Sequence, residues 1–319
     1  MTSTPLTDES PWNWCHMPPE IKMECIKHCG VKERLLLRAT ARTERALVDA
    51  KKTEIPLLRV SFGTYRSKIS TGPHVNELTA LRYPWTENNP TPCLELLLKT
   101  SRIGIFQLAS TSCRSLTRGF VDRDAKYSVE IFQHNTACKQ DLVFFLNALD
   151  SEKIQWIQMN GDDVEDMPTI EEMVKIPNLI NCSYWQISNY HGTDSAVTVA
   201  QTWIDMNARI GMRFQVLALE EGTVEEFVCE FEDQIVYQAN NLIRIHTNDP
   251  KKHIILELGH HAVEAESFRG GIIFKRLQFL RLLMVSADSE NSDQEEWGQT
   301  VTWMNWLCPG YEFPYESIF

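Results

Sequence analysis

Five potential metal ligands crowd into the first thirty residues: Cys15, His16, Cys25, His28 and Cys29. Thiolate and imidazole at that density suit a tetrahedral zinc site, yet such sites normally join two close pairs across a longer loop. Cys25 and Cys29 instead stand four apart on the apolar face of Ile21 and Ile26, so they read as small core thiols and no metal is expected. A second group, His246, His253, His260 and His261, contains no H-E-x-x-H pair, and His253 follows the turn-forming Asn248, Asp249 and Pro250. These histidines read as surface or strand-edge residues. Asp162, Asp163, Glu165 and Asp166 lack the alternating ligands and central glycine of a calcium loop and read as a solvated turn. Phosphate-binding glycine loops, dinucleotide fingerprints and nucleophile elbows are absent, so no catalytic residue and no cofactor are expected.

The elements that would position any site begin after a Ser/Thr/Pro-rich tail at 1–13. Pro18 and Pro19 suit a helix start, where a missing N–H is harmless, and Glu20 adds favourable negative charge to the first turn. Apolar positions recur at helical period through Ile21, Cys25, Ile26 and Cys29, and Gly30 marks a stop. Further helices are expected at 32–38 and 41–51. Such a small bundle cannot bury much surface alone and must lean on something else.

Residues 53–92 read as a connecting region with a strand or two, including 57–62, broken by Gly63, Gly72, Pro73, Pro84 and Pro90. From 93 to 319 helices precede strands in a regular rhythm. The helix candidates are 94–99, 141–149, 169–176, 197–210 and 225–236. The strand candidates are 103–108, 128–132, 154–159, 183–187, 213–219 and 242–246. Ile154, Tyr184, Phe214 and Ile243 follow at steps of 30, 30 and 29 residues. A helix-plus-strand unit of that length buries its apolar faces only by stacking on copies of itself, as in a leucine-rich-repeat-like array, although a doubly wound sheet gives the same alternation. Strands at 254–258 and 277–285, an acidic loop at 287–296 and a cap carrying Trp297, Trp303 and Trp306 complete the expectation. The fold class is therefore α+β: a three-helix block followed by an α/β domain.

Composition narrows the partners. With 31 basic and 43 acidic side chains the net charge is −12, which argues against general nucleic-acid binding. No apolar run is long enough for a membrane span, and 1–13 lacks a secretory signal, so a cytoplasmic or nuclear location with its nine cysteines reduced is expected. Residues 20–54 carry nine basic and six acidic side chains, a balance of +3 that leaves −15 for the rest. Such a division suggests different partners for the two parts.

Met17-Pro18-Pro19-Glu20-Ile21, then Cys25, Ile26 and Cys29, then Arg34-Leu35-Leu36-Leu37-Arg38 and Leu47-Val48-Asp49, resemble an F-box over residues 14–52. Met17 stands for the usual opening Leu, and Glu44 falls near where many F-boxes place an aromatic. Trp14, the Glu33 to Arg38 run, Thr43-Glu44-Arg45, and the later Ile243 to Pro250 and His253 to Leu256 are similar to nematode F-box proteins that carry a C-terminal F-box-associated domain. The resemblance implies the substrate receptor of an SCF-type cullin-RING ubiquitin ligase, without catalysis of its own. Met17, Pro18, Ile21, Ile26, Leu36 and Leu37 would contact a Skp-type adaptor, helped by Lys22 and Lys27 if that adaptor is acidic. Cys25, Cys29, Leu47 and Val48 would lie further inside, and the strand face or loops of the second domain would hold a protein target bearing basic residues. The rival readings are a stand-alone interaction scaffold and an α/β enzyme of unrecognised family, which titratable groups converging at the strand ends would favour.

Overall fold

Pro19 opens the first helix, α1 (Pro19–Lys27), and α2 (Val31–Thr40) and α3 (Arg42–Asp49) follow after short turns. This computed structural model describes residues 13–62, 67–74, 78–81, 91–110, 115–136, 138–160, 167–259, 262–268 and 271–289. The acidic cluster at 162–166, His260, His261, Gly270, most of the acidic loop and the three C-terminal tryptophans lie outside the described residues. Gly30 is the N-cap of α2, with an ordinary negative φ of −69°, rather than a left-handed stop for α1. Buried Arg34 closes α1 instead. Its guanidinium donates to the Cys29 carbonyl at 3.0 Å, the Lys27 carbonyl at 3.5 Å and Thr53 Oγ1 at 3.2 Å.

That last bond ties the helices to β1 (Thr53–Phe62), which is no connector. It runs parallel to β4 (Ser101–Ser110) along its whole length, and its outer edge carries the antiparallel strands β2 (Ser67–Gly72) and β3 (Thr79–Ala80). Leu35 of α2 joins the same hydrophobic core as Ile55 and Leu58. The boundary expected near residue 92 therefore falls inside one sheet, and the small helical block leans on that sheet's first strand.

Beyond β1 the chain adds strands in sequence order. Helix α4 (Thr91–Thr100) leads into β4, and β5 (Ser128–Thr136) follows a 3₁₀ turn at Thr117–Gly119. Next come α5 (Lys139–Ala148) and β6 (Trp156–Asn160), then α6 (Ile170–Met173), α7 (Pro177–Ile180) and β7 (Tyr184–Tyr190), then α8 (Ser195–Asp205) and β8 (Arg213–Ala218). The pairs β1–β4, β4–β5, β5–β6, β6–β7 and β7–β8 are all parallel, and the order never reverses. A doubly wound sheet reverses at a switch point, whereas crossovers of one hand without reversal leave the helices on one face.

The rhythm then breaks. Helix α9 (Thr223–Glu230) ends short of the expected 236, because Ile235, Val236 and Tyr237 are strand formers and build β9 (Ile235–Ala239). β10 (Leu242–His246) does not follow β8, so Ile243 is not a fourth member of the parallel series. The long antiparallel strand β13 (Gly271–Ser286) takes that place, followed across the sheet by β11 (Lys252–Leu258), β10 and β9, while β12 (Ala262–Phe268) pairs with β13 beyond that path. The result is a mixed α/β architecture around one large sheet.

Register explains why the core is continuous. Leu58, Phe106, Phe132, Ile157, Trp185, Phe214, Leu282, Leu256 and Ile243 are successive in-register partners, and all are buried. Helices cover this row: the Phe145 ring of α5 meets Phe106 edge-on with centroids 5.2 Å apart. Five strands, two of them together with the residues just before them, repeat the same buried spacing of i, i+3 and i+5. The sets are Ile55, Leu58, Val60; Ile103, Phe106, Leu108; Val129, Phe132, His134; Ile154, Ile157, Met159; and Cys182, Trp185, Ile187.

Buried polar side chains staple the units together. Asp141 on α5 accepts from the Leu116 and Thr117 amides at 2.8 and 3.1 Å and from the Ser115 and Thr117 hydroxyls at 2.7 and 2.8 Å. Glu95 on α4 accepts from the Val121 and Asp122 amides, and Asn178 donates to the Leu146 and Leu149 carbonyls that end α5. Asp141→Ala would leave two buried amides without acceptors, so it should lower unfolding free energy by about 2 kcal/mol or more. Urea denaturation checks this, and an unchanged midpoint would show that the contact is dispensable.

Candidate functional site

The helical block sorts its side chains by helix geometry. On α1, Lys22 and Ile26 are four residues apart and face inward, which turns Ile21 and Cys25, each one position earlier, about 100° away from that strip and out of the interior. Ile26, expected to contact a partner, is 1% exposed and packs inside. Cys25, expected inside, is exposed. Ile21 on α1 is 51% exposed and Leu36 on α2 is 50% exposed. Pro18 is exposed, and Met17 and Leu37 are half-buried. Val48 is buried and Leu47 half-buried, as α3's inner face requires.

Glu44 is buried, and three groups hold it. Lys22 Nζ lies 3.1 Å from its carboxylate, the Thr43 hydroxyl donates to it, and the Trp14 indole N–H donates at 3.3 Å. Lys22 Nζ also lies 5.6 Å from the centre of the Trp14 ring. Trp14, arriving from the preceding 3₁₀ turn, thus covers the position from outside α3. Hydrogen bonds from Thr43 and then Lys22 hold the Glu44 carboxyl at about 2, well below the ordinary range. Lys22 is accordingly an internal partner and not a surface charge for an adaptor.

The sheet face away from the helices carries a feature that motif reading missed. At the position between the last two residues of each buried set stand Arg59, Gln107, Gln133, Gln158 and Gln186, and β8 adds Gln215. These six are in-register partners across six adjacent strands, and the row continues through Arg281 and Glu257. Gln107 donates to Gln133, and Gln133 donates to Gln158 at 3.0 Å. The Tyr184 hydroxyl lies against the Gln186 amide oxygen at 2.8 Å and also contacts Gln215. The Trp156 and Tyr184 rings stack beside this row with centroids 5.0 Å apart. Arg281 and Glu257 end it as an ion pair. Gln107, Gln133 and Gln158 form an amide ladder, much as stacked glutamines do between strands, and the Tyr184 hydroxyl joins Gln186 and Gln215 in the same row. The signal was present in sequence as a glutamine one residue after the second apolar position in four of the five sets, with Arg59 in the first.

The suspected metal ligands stay apart. Among the described residues no group of three His, Cys, Asp or Glu side chains could hold a metal ion, and seven cysteines are free thiols. His246 and His253 face each other between β10 and β11, where His253 Nδ1 accepts from Arg244 at 2.8 Å. Burial, Arg244 and His246 all lower the His253 pKa, so it serves as a neutral acceptor. His134 occupies an apolar core position, and burial pushes its pKa to about 4 against the opposing pull of Asp141. A cleft of 390 Å³ opens at the N-terminal ends of β1, β4 and β5, lined by Glu54, Arg102, Ser128, Glu130 and Lys153 among others. It lies away from the strand C-termini where open α/β sheets hold ligands, and no histidine or cysteine lines it. No helix among the described residues is long and apolar enough to cross a membrane.

No protein-family model and no curated protein matches the chain. Among solved structures, precorrin 8w decarboxylase of Methanobacterium thermoautotrophicum aligns over 64% of this chain and 92% of its own at 11% identity, with a TM-score of 0.22. A likeness that slight carries no argument.

Glu44 generates a pH dependence. Its folded pKa of about 2 lies below the ordinary 4.5, so its contribution to α1–α3 packing is complete above pH 4.5 and is lost as pH falls towards 2. Hydrogen exchange, corrected for intrinsic rates, should show protection of α1 and α3 falling through that window in the native chain. Glu44→Gln should start with lower protection at neutral pH and lack the window, and coincident profiles would remove Glu44 from this role.

Proposed function

We propose that this chain is a substrate receptor of an SCF-type cullin-RING ubiquitin ligase, with residues 14–52 acting as an F-box and the α/β body, read as a leucine-rich-repeat-like array, holding a protein target. The carrying observation is the partition of the helical block: Ile26, Val48 and the Lys22–Glu44 pair close its interior, while Ile21 and Leu36 are left half in water. Large apolar side chains that a small core does not take in mark a surface for a partner, and Pro18, Met17 and Leu37 extend it. The partner would be a Skp-type adaptor. Ile26 acts from within, by fixing α1 so that Ile21 points outward.

The target would meet the sheet face away from the helices, over β4 to β6. There half-buried Gln107, Gln133 and Gln158 give hydrogen-bonding groups at the strand spacing, whereas Gln186 and Gln215 are buried, and the acidic remainder of the chain favours a target with basic residues around the contact. Both the unreversed strand order and the repeated buried spacing support the array reading over a doubly wound enzyme. A receptor of this kind works in the cytoplasm or nucleus and takes no cofactor.

Titration of the full chain with a purified Skp-type adaptor tests the reading. Ile21→Asp and Leu36→Asp should each weaken binding at least about tenfold, or ~1.4 kcal/mol, without changing the thermal melt. Absence of binding by the native chain, or indifference to both substitutions, would leave the stand-alone scaffold in its place.

A further inference from the structure

The two ends of the sheet are built differently. One ends in β3, Thr79–Ala80, a strand of two residues and therefore a poor template for pairing. The other ends in β9, where Ile235, Val236, Tyr237, Gln238 and Ala239 pair with β10, and no strand follows among the described residues. Val236 is 50% exposed and Tyr237 is 42% exposed. The strand holds no charge and no proline, the usual means of blunting an edge, and the register shift beside it lies in its pairing with β10.

We infer that β9 is a self-association edge, pairing antiparallel with β9 of a second copy about a two-fold axis. Three features select a second copy as the occupant. The short β3 cannot receive β9, so head-to-tail growth is closed off and edge pairing must be isologous, stopping at two chains. A two-fold axis normal to the sheet keeps side chains on matching faces only if it passes through a residue, and Val236 and Tyr237 are the central exposed choices. With the axis at Tyr237, Ile235 lies opposite Ala239 and Val236 opposite Gln238, so the paired ladder holds no charge, and Glu232 and Asp233 stand in the 3₁₀ turn before it. Tyrosine near the centre supplies the aromatic contact that such interfaces favour. The helical block is tied to β1 by Arg34, at the other end of the sheet, so pairing leaves it open. This inference is independent of the ligase reading.

The charge of −12 on each chain opposes approach, so added salt should strengthen the pair. Sedimentation velocity of the full chain decides the matter, over about 1 to 100 μM and with reductant to exclude a disulfide through exposed Cys229. The mass should rise from 36.8 kDa towards twice that value with concentration and stop there. Tyr237→Lys should raise the dissociation constant at least about tenfold, and Tyr237→Phe should not. Val121→Lys, at a site 89% exposed on a distant loop, should also leave association intact. Val236→Lys serves the same purpose if Tyr237→Lys fails to fold. A native chain that stays monomeric throughout, growth past two chains, or lysine variants that associate as tightly as the native chain would overturn the inference.

Discussion

Each strand of the parallel series carries one apolar row that its own unit cannot cover. Phe106 on β4 is buried only because Leu58 and Phe132 lie beside it and Phe145 lies above it. The same holds along the row to Trp185 and Phe214. Strands a little under 5 Å apart bring these large side chains into mutual contact, so the burial of each depends on its neighbours' register. The ends then become the difficulty. At β1, Leu35 of α2 and the β2–β3 hairpin close the row, and beyond β8 the antiparallel strands close it with Leu282, Leu256 and Ile243. The helical block is therefore part of the sheet's termination as well as a separate surface.

The same constraint, applied to the block itself, explains its buried charge. Three short helices have few apolar positions to give, and Ile26 and Val48 form a core too small to hold them by hydrophobic burial alone. Lys22, Glu44, Thr43 and Trp14 supply the remaining cohesion through directional contacts, which fix helix orientation more sharply than apolar packing does. Orientation is what turns Ile21 outward. A buried pair of this kind is costly to break from one side, because the surviving charge is left without its partner.

Periodicity made elements legible and left their neighbours hidden. The strand at 242–246 was read with its observed bounds, yet it was assigned beside β8, because nothing in a spacing of 29 residues says that a strand arriving some sixty residues later will take that place. The helix at 225–236 ran too far because an amphipathic pattern continues into Ile235 and Val236, where β-branching was the warning. The stripe Ile21, Cys25, Ile26, Cys29 has helical period, but only a narrow strip of a nine-residue helix faces two neighbours, and that strip contains Lys22 with Ile26. The glutamine row escaped notice for a different reason. Glutamine has no signature chemistry, and the in-register partners Phe106, Phe132, Ile157, Trp185 and Phe214 follow at 26, 25, 28 and 29 residues, so a fixed repeat length blurs the column. Aligning the strands on their i, i+3, i+5 apolar sets brings it out.

Net charge is a poor guide to a surface until internal partners are removed from it. Within the block, Lys22 belongs to Glu44, Lys27 to Glu24 and Arg38 to Asp49, while Arg34 directs its donors at carbonyls and Thr53. The cations that remain exposed without an ion pair among the described residues are Lys32, Arg42, Arg45, Lys51 and Lys52, and four of those five belong to α3 or the residues just after it. The excess of +3 is thus displaced from the start of α1, where exposed Pro18 and Ile21 lie, towards α3. An adaptor that covers Ile21 and Leu36 would gain little from charge at the centre of its contact. Attraction would act at the margin, through α3, where screening by salt alters the rate of encounter more than the strength of the final complex.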